Sequence, residues 1–233
     1  MSPGVTRGVS EKTLDLLHAL AADGRPQQLN ALARATGIPK PTAHRLLGSL
    51  VTQGFASISP GGPYRPGPLL LGLSAAVLHR APGMDLVDAC LRDLSRRTGQ
   101  TALFAVPHRD GEGARSMVVV AKVEPGQAYR INLEPGQQVP AEVTALGRAL
   151  DVDQVRPGDA AFEDGEHLEG VWSVAAAVID EDGVPFGAIG VAGLVFTMQE
   201  DTTEVFADLV RGAARAASRL RPGPIERATR HAG

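Results

Sequence analysis

The first part of the chain carries apolar residues at the spacing of short amphipathic helices. Leu14, Leu17 and Ala21 lie at positions i, i+3 and i+7, which predicts a first helix over residues 10–22. The same periodicity predicts two further helices, over residues 29–36 and 40–53.

The spacing between the second and third helices is that of a helix-turn-helix. Ala33 is small enough to let two helices cross closely, and Gly37, four residues later, can adopt the left-handed backbone that the turn needs. Leu46, nine residues beyond Gly37, is placed to lock the pair. A purely structural pair of helices would share this pattern, so the pattern alone leaves both interpretations open.

A hairpin signal follows the third helix. Residues 55–66 read as two short strands around a Pro-Gly-Gly-Pro turn, and residues 67–82 contain a leucine- and alanine-rich run that predicts a linker helix. Three helices followed by a hairpin make a winged helix. This hairpin favours DNA binding over a structural helical pair.

In a winged helix the third helix enters the major groove with its first residues towards the base edges. Arg45 can reach a guanine or a phosphate, Thr42 a phosphate or a thymine methyl, and the wing residue Arg65 a phosphate or the minor groove. For each charged side chain the alternative is a solvated surface position. The candidate DNA-binding residues are Arg34, Lys40, Pro41, Thr42, His44, Arg45, Tyr64 and Arg65.

The second part of the chain alternates between helical and strand patterns, which indicates an α+β domain. Amphipathic helices are predicted over 84–98 and 202–220, with a short helix over 144–150. Strands are predicted over 101–107, 116–124, 129–133, 171–179 and 185–192. The acidic segment 151–169 is predicted to be irregular, and the tail 222–233 to be flexible.

The distribution of charge changes near residue 66, where the predicted wing ends. The net charge is −3, but residues 1–66 hold seven basic and three acidic side chains, so they carry +4 and the remainder carries −7. A basic first quarter favours a module that binds an anion such as DNA. No apolar run is long enough to cross a membrane and no signal core precedes residue 10, so we expect a cytoplasmic protein without membrane partners.

Little in the sequence points to an enzyme. Cys90 is the only cysteine and lies on the apolar face of a predicted helix, which favours a packing role over a nucleophile. The six histidines show no metal-binding spacing, and neither the nucleophile-elbow motif nor the phosphate-loop motif occurs. We therefore expect no catalytic residues, no metal and no cofactor.

Four segments resemble the IclR family of bacterial transcriptional regulators, in that family's order. They are residues 36–47, 64–68, 144–150 and 170–180, and the resemblance spans about residues 8–220. It implies an N-terminal winged helix (1–66), a linker helix (67–82), a C-terminal effector or oligomerisation domain with a GAF-like antiparallel sheet (83–221), and a tail (222–233).

The resemblance also implies function. Members of the family are repressors or activators that bind double-stranded DNA at palindromic operators. They dimerise through their DNA-binding domains, often form tetramers, and respond to small metabolites, often carboxylic or aromatic acids. A sequence-specific regulator that forms a homodimer or homotetramer is therefore the expected function.

The effector site implied by the resemblance maps onto six residues of this sequence: Ala145, Leu146, Glu163, Ser173, Gly190 and Ala192. Trp172 is a seventh candidate because of its position on a predicted strand. Ser173 stands where the family has a cysteine, and Gly190 and Ala192 where it has serines. Trp172 either lines the pocket or covers the sheet, and Arg130 and Arg148 either pair with an anionic ligand or lie on the surface. The lost hydroxyls leave two alternatives, an altered apolar pocket or a degenerate domain that serves only oligomerisation or protein contacts.

Overall fold

The computed structural model describes residues 8–22, 25–81, 83–110, 113–126, 131–151, 153, 155–156, 158–180, 182–197 and 202–219. The chain divides into two compact units, Met1–Arg80 and Ala81–Gly233. The tail 222–233, and with it the prediction that the tail is flexible, lies outside the described residues. In the part that the structure describes, no helix reaches the length and apolarity that a bilayer crossing requires.

The first unit is a winged helix. Its elements are α1 (Val9–Ala22), α2 (Leu29–Thr36), α3 (Lys40–Thr52), β1 (Ala56–Ile58), β2 (Tyr64–Pro66) and α4 (Pro68–Arg80). The strands β1 and β2 pair antiparallel, with Ser57 opposite Arg65. One apolar core holds the three helices together, and Leu16, Leu32 and Leu47 are fully buried in it.

Gly37 makes the turn between α2 and α3 in the conformation that the sequence predicts. Its φ of 67° and ψ of 15° are left-handed, where a side chain would be strained. Its N–H and that of Ile38 then donate to the carbonyls of Arg34 and Ala33, at 3.3 and 3.1 Å. These bonds satisfy the end of α2 and set the direction in which α3 begins.

Gly67 joins the wing to α4. Its N–H donates to the carbonyl of Phe55 at 2.8 Å, and the N–H of Leu69 donates to the carbonyl of Gly54 at 3.0 Å. A Cβ on Gly67 would overlap the Gly54 carbonyl oxygen, so only glycine lets the two backbones approach this closely. The first turn of α4 is therefore attached to the end of α3 and to the wing.

The second unit is built on a six-stranded antiparallel sheet with the order β5-β4-β3-β8-β7-β6. Its strands are β3 (Thr101–Arg109), β4 (Arg115–Val123), β5 (Gln138–Pro140), β6 (Ala160–Asp164), β7 (Val171–Ile179) and β8 (Pro185–Leu194). Its helices are α5 (Met84–Thr98), α6 (Ala145–Arg148) and α7 (Thr203–Ala217), and a 3-10 turn is formed by Val195–Thr197. The predicted α+β architecture of winged helix, linker helix and antiparallel-sheet domain is confirmed.

Both faces of the sheet are covered. On one face Trp172 and Val174 of β7 pack with α5 and α7, while on the other Ala175 packs with α6 and the segment 131–141. Successive residues of a strand point to opposite faces, so β7 contributes alternately to the two cores. The second of these cores contains Ala145, Leu146 and Ala192, three of the residues at which the sequence predicts an effector site.

Two secondary-structure predictions for the second unit were wrong. The acidic segment contains β6, which pairs antiparallel with β7, with Glu163 opposite Ser173. The strand expected at 129–133 lies in part outside the described residues, and its described part, 131–133, is not a strand. Ile131 and Leu133 are buried there as loop residues, and the short strand β5 comes five residues later. Apolar alternation in this segment reflects burial against α6 rather than sheet pairing.

Candidate functional site

Helix α3 presents a polar surface opposite its packed face. Ala43, Leu46, Leu47 and Leu50 are buried at helical spacing against α1 and α2. The exposed residues of α3 therefore share the opposite side. They include Lys40, Pro41, His44, Arg45, Gly48 and Ser49.

The cationic side chains on this surface make no polar contact among the described residues. Lys40 and Arg45 are exposed, and among the described residues neither side chain has a hydrogen bond or an ion pair. Residues 29–66 contain four cationic side chains and no carboxylate at all. The part of the unit formed by α2, α3 and the wing therefore carries a net positive charge, which favours binding of a polyanion.

The remaining predicted DNA-binding residues differ in how far they are exposed. Arg34 and Arg65 are exposed, and their Nε atoms donate to the Asn30 carbonyl at 3.3 Å and to the Ser57 hydroxyl at 3.1 Å. Thr42 is half-buried in the first turn of α3. Tyr64 is different, because its side chain is only 6% exposed and belongs to the apolar core.

The structure corrects the placement of Tyr64. On β2 it alternates with Arg65, so the two side chains point to opposite faces of the wing. Its backbone pairs with Gln27 through two hydrogen bonds, of 2.7 and 2.8 Å, which attach the wing to the loop before α2. Tyr64 therefore anchors the wing from inside the core, whereas Arg65 is the exposed wing residue.

Sequence reasoning did not single out Ser49, which lies on the same exposed side of α3. It lies one helical turn after Arg45, is exposed, and its hydroxyl donates to the Arg45 carbonyl at 3.3 Å. The helical i, i+4 spacing was the signal that could have found it.

In the second unit a cavity lies between the sheet and α6. Strands β3, β6, β7 and β8 form its floor, and α6, the loop after β6 and the segment 133–139 close it. Its volume is about 20 Å³, counted as the space that the centres of water molecules can occupy. One water needs about 10–15 Å³ on that measure, so the cavity has room for one or two waters in this conformation.

One buried carboxylate is the main polar feature of the cavity. Glu163 is 6% exposed. Its Oε2 accepts the Ser173 hydroxyl at 2.7 Å, and its Oε1 accepts the His167 backbone N–H at 3.1 Å. Thr144, also in the lining, donates its hydroxyl to the Pro140 carbonyl at 2.7 Å and accepts the Gly147 N–H at 3.3 Å.

Five of the seven predicted effector residues line this cavity. They are Leu146, Glu163, Ser173, Gly190 and Ala192. Ala145 is fully buried in the same core but is not part of the lining. The cavity also contains residues that sequence reasoning missed, including Leu103, Leu133, His167 and Leu168.

The structure corrects the assignment of Trp172 to the pocket. Its ring lies on the opposite face of the sheet, stacked on Phe206 of α7 with ring centroids 5.5 Å apart and planes 13° apart. Its Nε1 donates to the Leu194 carbonyl at 3.2 Å. Of the two alternatives for this residue, covering the sheet is the one observed.

Arg148 of α6 makes polar contacts outside the lining of the cavity. Its guanidinium donates to the carbonyls of Glu142 and Phe162, at 3.2 and 3.1 Å, and pairs with Glu166. These contacts tie α6 to β6 and to the loop after it. The second arginine considered for an anionic ligand, Arg130, lies outside the described residues.

The chemistry of an enzyme finds little support in these side chains. Cys90 is half-buried, and burial, with a contribution from nearby Asp93, raises the pKa of its thiol. The reactive thiolate is therefore disfavoured. Within the described ranges, no group of three or more His, Cys, Asp or Glu residues is arranged to hold a metal ion.

Comparison with known proteins agrees with both units. The family model of the IclR helix-turn-helix domain matches residues 10–57, and that of the C-terminal domain of the bacterial transcriptional regulator IclR matches residues 150–219. A glycerol operon regulatory protein of Streptomyces griseus is 31% identical over 249 residues, covering 90% of this chain and 94% of its own. The chain belongs to the IclR family.

Other IclR relatives extend over most of the chain. The transcriptional repressor IclR of Escherichia coli is 24% identical over 246 residues, covering 91% of this chain and 87% of its own. A crystal structure of an IclR transcriptional regulator from Alicyclobacillus acidocaldarius shares the fold with a TM-score of 0.73, at 21% identity, over 91% of this chain and 97% of its own.

One structural relative was solved with a ligand. An IclR homologue from Microbacterium hydrocarbonoxydans, complexed with 4-hydroxybenzoate, superposes with a TM-score of 0.69 at 14% identity, over 91% of this chain and 98% of its own. These relatives are named as transcriptional regulators and repressors. This IclR-family chain is likewise a transcriptional regulator, with a DNA-binding helix-turn-helix and an effector domain, and is not an enzyme.

Proposed function

We propose that the protein acts in the cytoplasm as a homodimer that binds a palindromic operator through α3 and the wing of each subunit. The observation that carries this proposal is the exposed, carboxylate-free surface of α3, with the unpaired cations Lys40 and Arg45. With α3 in the major groove, Arg45 and Lys40 reach base edges or phosphates, and Thr42 lies at the end of the helix that enters first.

Supporting contacts come from the other exposed cations. Arg65 on the wing is placed to reach a phosphate or the minor groove beside the site of α3. Arg34, on α2 before the turn, would contact the DNA backbone. Such phosphate contacts position the protein on the duplex, whereas contacts from α3 to base edges give it sequence preference.

A second copy of the chain is the proposed partner of helix α4. Its large apolar side chains are 43–62% exposed within the first unit, namely Leu69, Leu71, Leu73, Val77 and Leu78. Exposed leucines along two turns of a helix that is fixed to the wing indicate a protein contact. Pairing through α4 would place two recognition helices in successive major grooves, about 34–36 Å apart or at a multiple of that distance.

The cavity beside α6 is the proposed effector site. A metabolite can regulate DNA binding only by binding one arrangement of the dimer more tightly than another, and α4 is the segment that connects the two units. A second candidate is an effector domain that serves only oligomerisation. The observation that favours this alternative is the small cavity volume, which admits one or two waters but no metabolite unless side chains rearrange.

Replacing Arg45 with alanine tests the role of α3. We expect operator affinity to fall about 10- to 100-fold, corresponding to about 1–3 kcal/mol for a bidentate base contact. Arg45→Lys should recover little if Arg45 reads a base, because lysine keeps the charge but loses the planar fork. The measurement is fluorescence anisotropy on promoter DNA upstream of the protein's own gene.

Arg92→Ala is the charge-matched control for this experiment. Arg92 is an exposed arginine of α5 that pairs with Asp88 at 2.7 Å, so its loss changes the net charge equally without touching the winged helix. We expect its operator affinity to stay within about twofold of the wild type, as for surface changes away from the contact. Equal losses in Arg45→Ala and Arg92→Ala would contradict the assignment of α3 as the recognition helix.

A further inference from the structure

We propose that the cavity selects a small ligand whose inner end is uncharged or cationic and donates a hydrogen bond to Glu163. Such a ligand is an alcohol or an amine. The cavity rejects carboxylates. This inference rests on the proposed function, in which the cavity is the effector site. It separates this chain from the relative solved with 4-hydroxybenzoate, a carboxylate.

The Glu163 carboxylate offers hydrogen-bond acceptors to the cavity. Glu163 lies on β6 opposite Ser173 of β7, and both side chains face the cavity. Each carboxylate oxygen accepts one hydrogen bond, from the Ser173 hydroxyl and from the His167 N–H. A carboxylate has about four acceptor positions, so about two remain for a donor on a ligand.

The rest of the cavity floor, formed by β7 and β8, has no free side-chain donor for an anion. Gly190 and Ala192 of β8, and Ala175 of β7, offer no side-chain donor. The hydroxyls of Thr144 and Ser173 already donate to the Pro140 carbonyl and to Glu163. Among the described lining residues, the imidazole of His167 is the remaining side chain that can donate to a ligand.

The charge of Glu163 also disfavours an anionic ligand. A ligand carboxylate in this cavity would lie near the buried carboxylate of Glu163, and the two like charges would repel each other in an apolar site. Arg148 does not compensate, because its guanidinium already contacts Glu166 and two carbonyls. A hydroxyl or ammonium group instead satisfies the acceptor positions that Glu163 keeps.

The test compares matched probes on the full chain by isothermal titration calorimetry. One set is 4-hydroxybenzyl alcohol, 4-hydroxybenzylamine and 4-hydroxybenzoate, and a smaller pair is glycerol and glycerate. We expect the alcohols or the amine to bind the wild type about 10- to 100-fold more tightly than the matched acids, the factor for leaving a buried polar group unpaired. Comparing the alcohol with the amine shows which of the two donors the site takes.

Glu163→Gln should reverse the preference. The amide removes the negative charge and adds an N–H donor, so amine binding should fall about tenfold or more and acid binding should rise. Asp164→Asn is the matched control, because Asp164 is adjacent on β6 but exposed on the other face, and the wild-type preference should persist in it. The comparison of probes on the wild type decides the ligand class by itself, so the inference does not depend on the variant folding.

The outcomes separate the two proposals. Tighter binding of the acids to the wild type would overturn the inference about ligand class while leaving the effector site in place. A donor preference that survives in Glu163→Gln would also overturn it. Binding of no probe of either class, to the wild type or to Glu163→Gln, would overturn both the inference and the effector site, whereas DNA binding would be judged by its own assay.

Discussion

Substituting aspartate for Leu73 in helix α4 should convert the protein to a monomer and weaken its binding to a two-half-site operator by about 10²- to 10⁴-fold. That range is the gain that linking two binding modules gives over one module alone. Leu69, Leu73 and Val77 lie four residues apart along one side of α4, and each is about half exposed. In the proposed dimer, a carboxylate at Leu73 would be buried without a partner, which an apolar interface does not tolerate.

The measurement is sedimentation equilibrium together with anisotropy on the operator. Gly72→Asp is the matched control: it adds the same charge to the neighbouring position, but a Cβ at Gly72 meets no atom within 4 Å, and the residue lies on the side of small side chains. We expect Gly72→Asp to remain dimeric and to bind the operator. A Leu73→Asp protein that stays dimeric with unchanged affinity would show that α4 is not the contact between subunits.

Replacing Trp172 with alanine should lower the free energy of unfolding of the second unit by about 3–5 kcal/mol, the range for removing a large aromatic side chain from a core. Trp172 is 1% exposed, stacks on Phe206 and donates a hydrogen bond to the Leu194 carbonyl. Trp172→Phe should lose less, because a ring remains to stack on Phe206. Binding of the donor ligands should survive in any variant that folds, since this side chain lies across the sheet from the cavity.

Urea denaturation followed by circular dichroism measures this effect. Trp172 is the only tryptophan of the chain, so in the wild type its fluorescence reports the unfolding of the second unit selectively. Ser173→Ala, one residue later on the other face of β7, serves as the control for a change at the cavity. A loss below about 1 kcal/mol in Trp172→Ala would be the size of an ordinary substitution and would contradict the placement of this ring in the core.

Local patterns were sufficient to predict most of the helices and the recognition helix. The helix-turn-helix depends on features that lie within 20 residues, namely the apolar spacing and Gly37, whose left-handed backbone the structure confirms. The exposed positions Lys40, His44 and Arg45 follow from the same periodicity. Local spacing decides them because the buried face of α3 leaves only one surface for polar side chains.

Non-local contacts decide what the sequence could not show. The face on which Tyr64 lies depends on the pairing of its backbone with Gln27, which is distant in the chain. The strand β6 forms because β7 supplies a partner, although Glu163 and Asp164 are unfavourable for a strand. The face of β7 on which Trp172 lies could have been predicted from the sequence, since neighbouring residues of a strand face opposite sides and Ser173 was already assigned to the cavity.

DNA recognition is tested most directly by the affinity of the protein for the DNA fragment that it enriches from its own genome, measured at increasing salt beside a scrambled fragment. We expect specific binding to a palindrome whose half-sites lie about 34–36 Å apart, or at a multiple of that distance. We also expect a loss of about 10³- to 10⁵-fold in affinity between 50 and 200 mM salt, the loss for about six to ten phosphate contacts from two winged helices. Equal binding to both fragments, or binding that salt does not weaken, would contradict a regulator that reads its operator through α3.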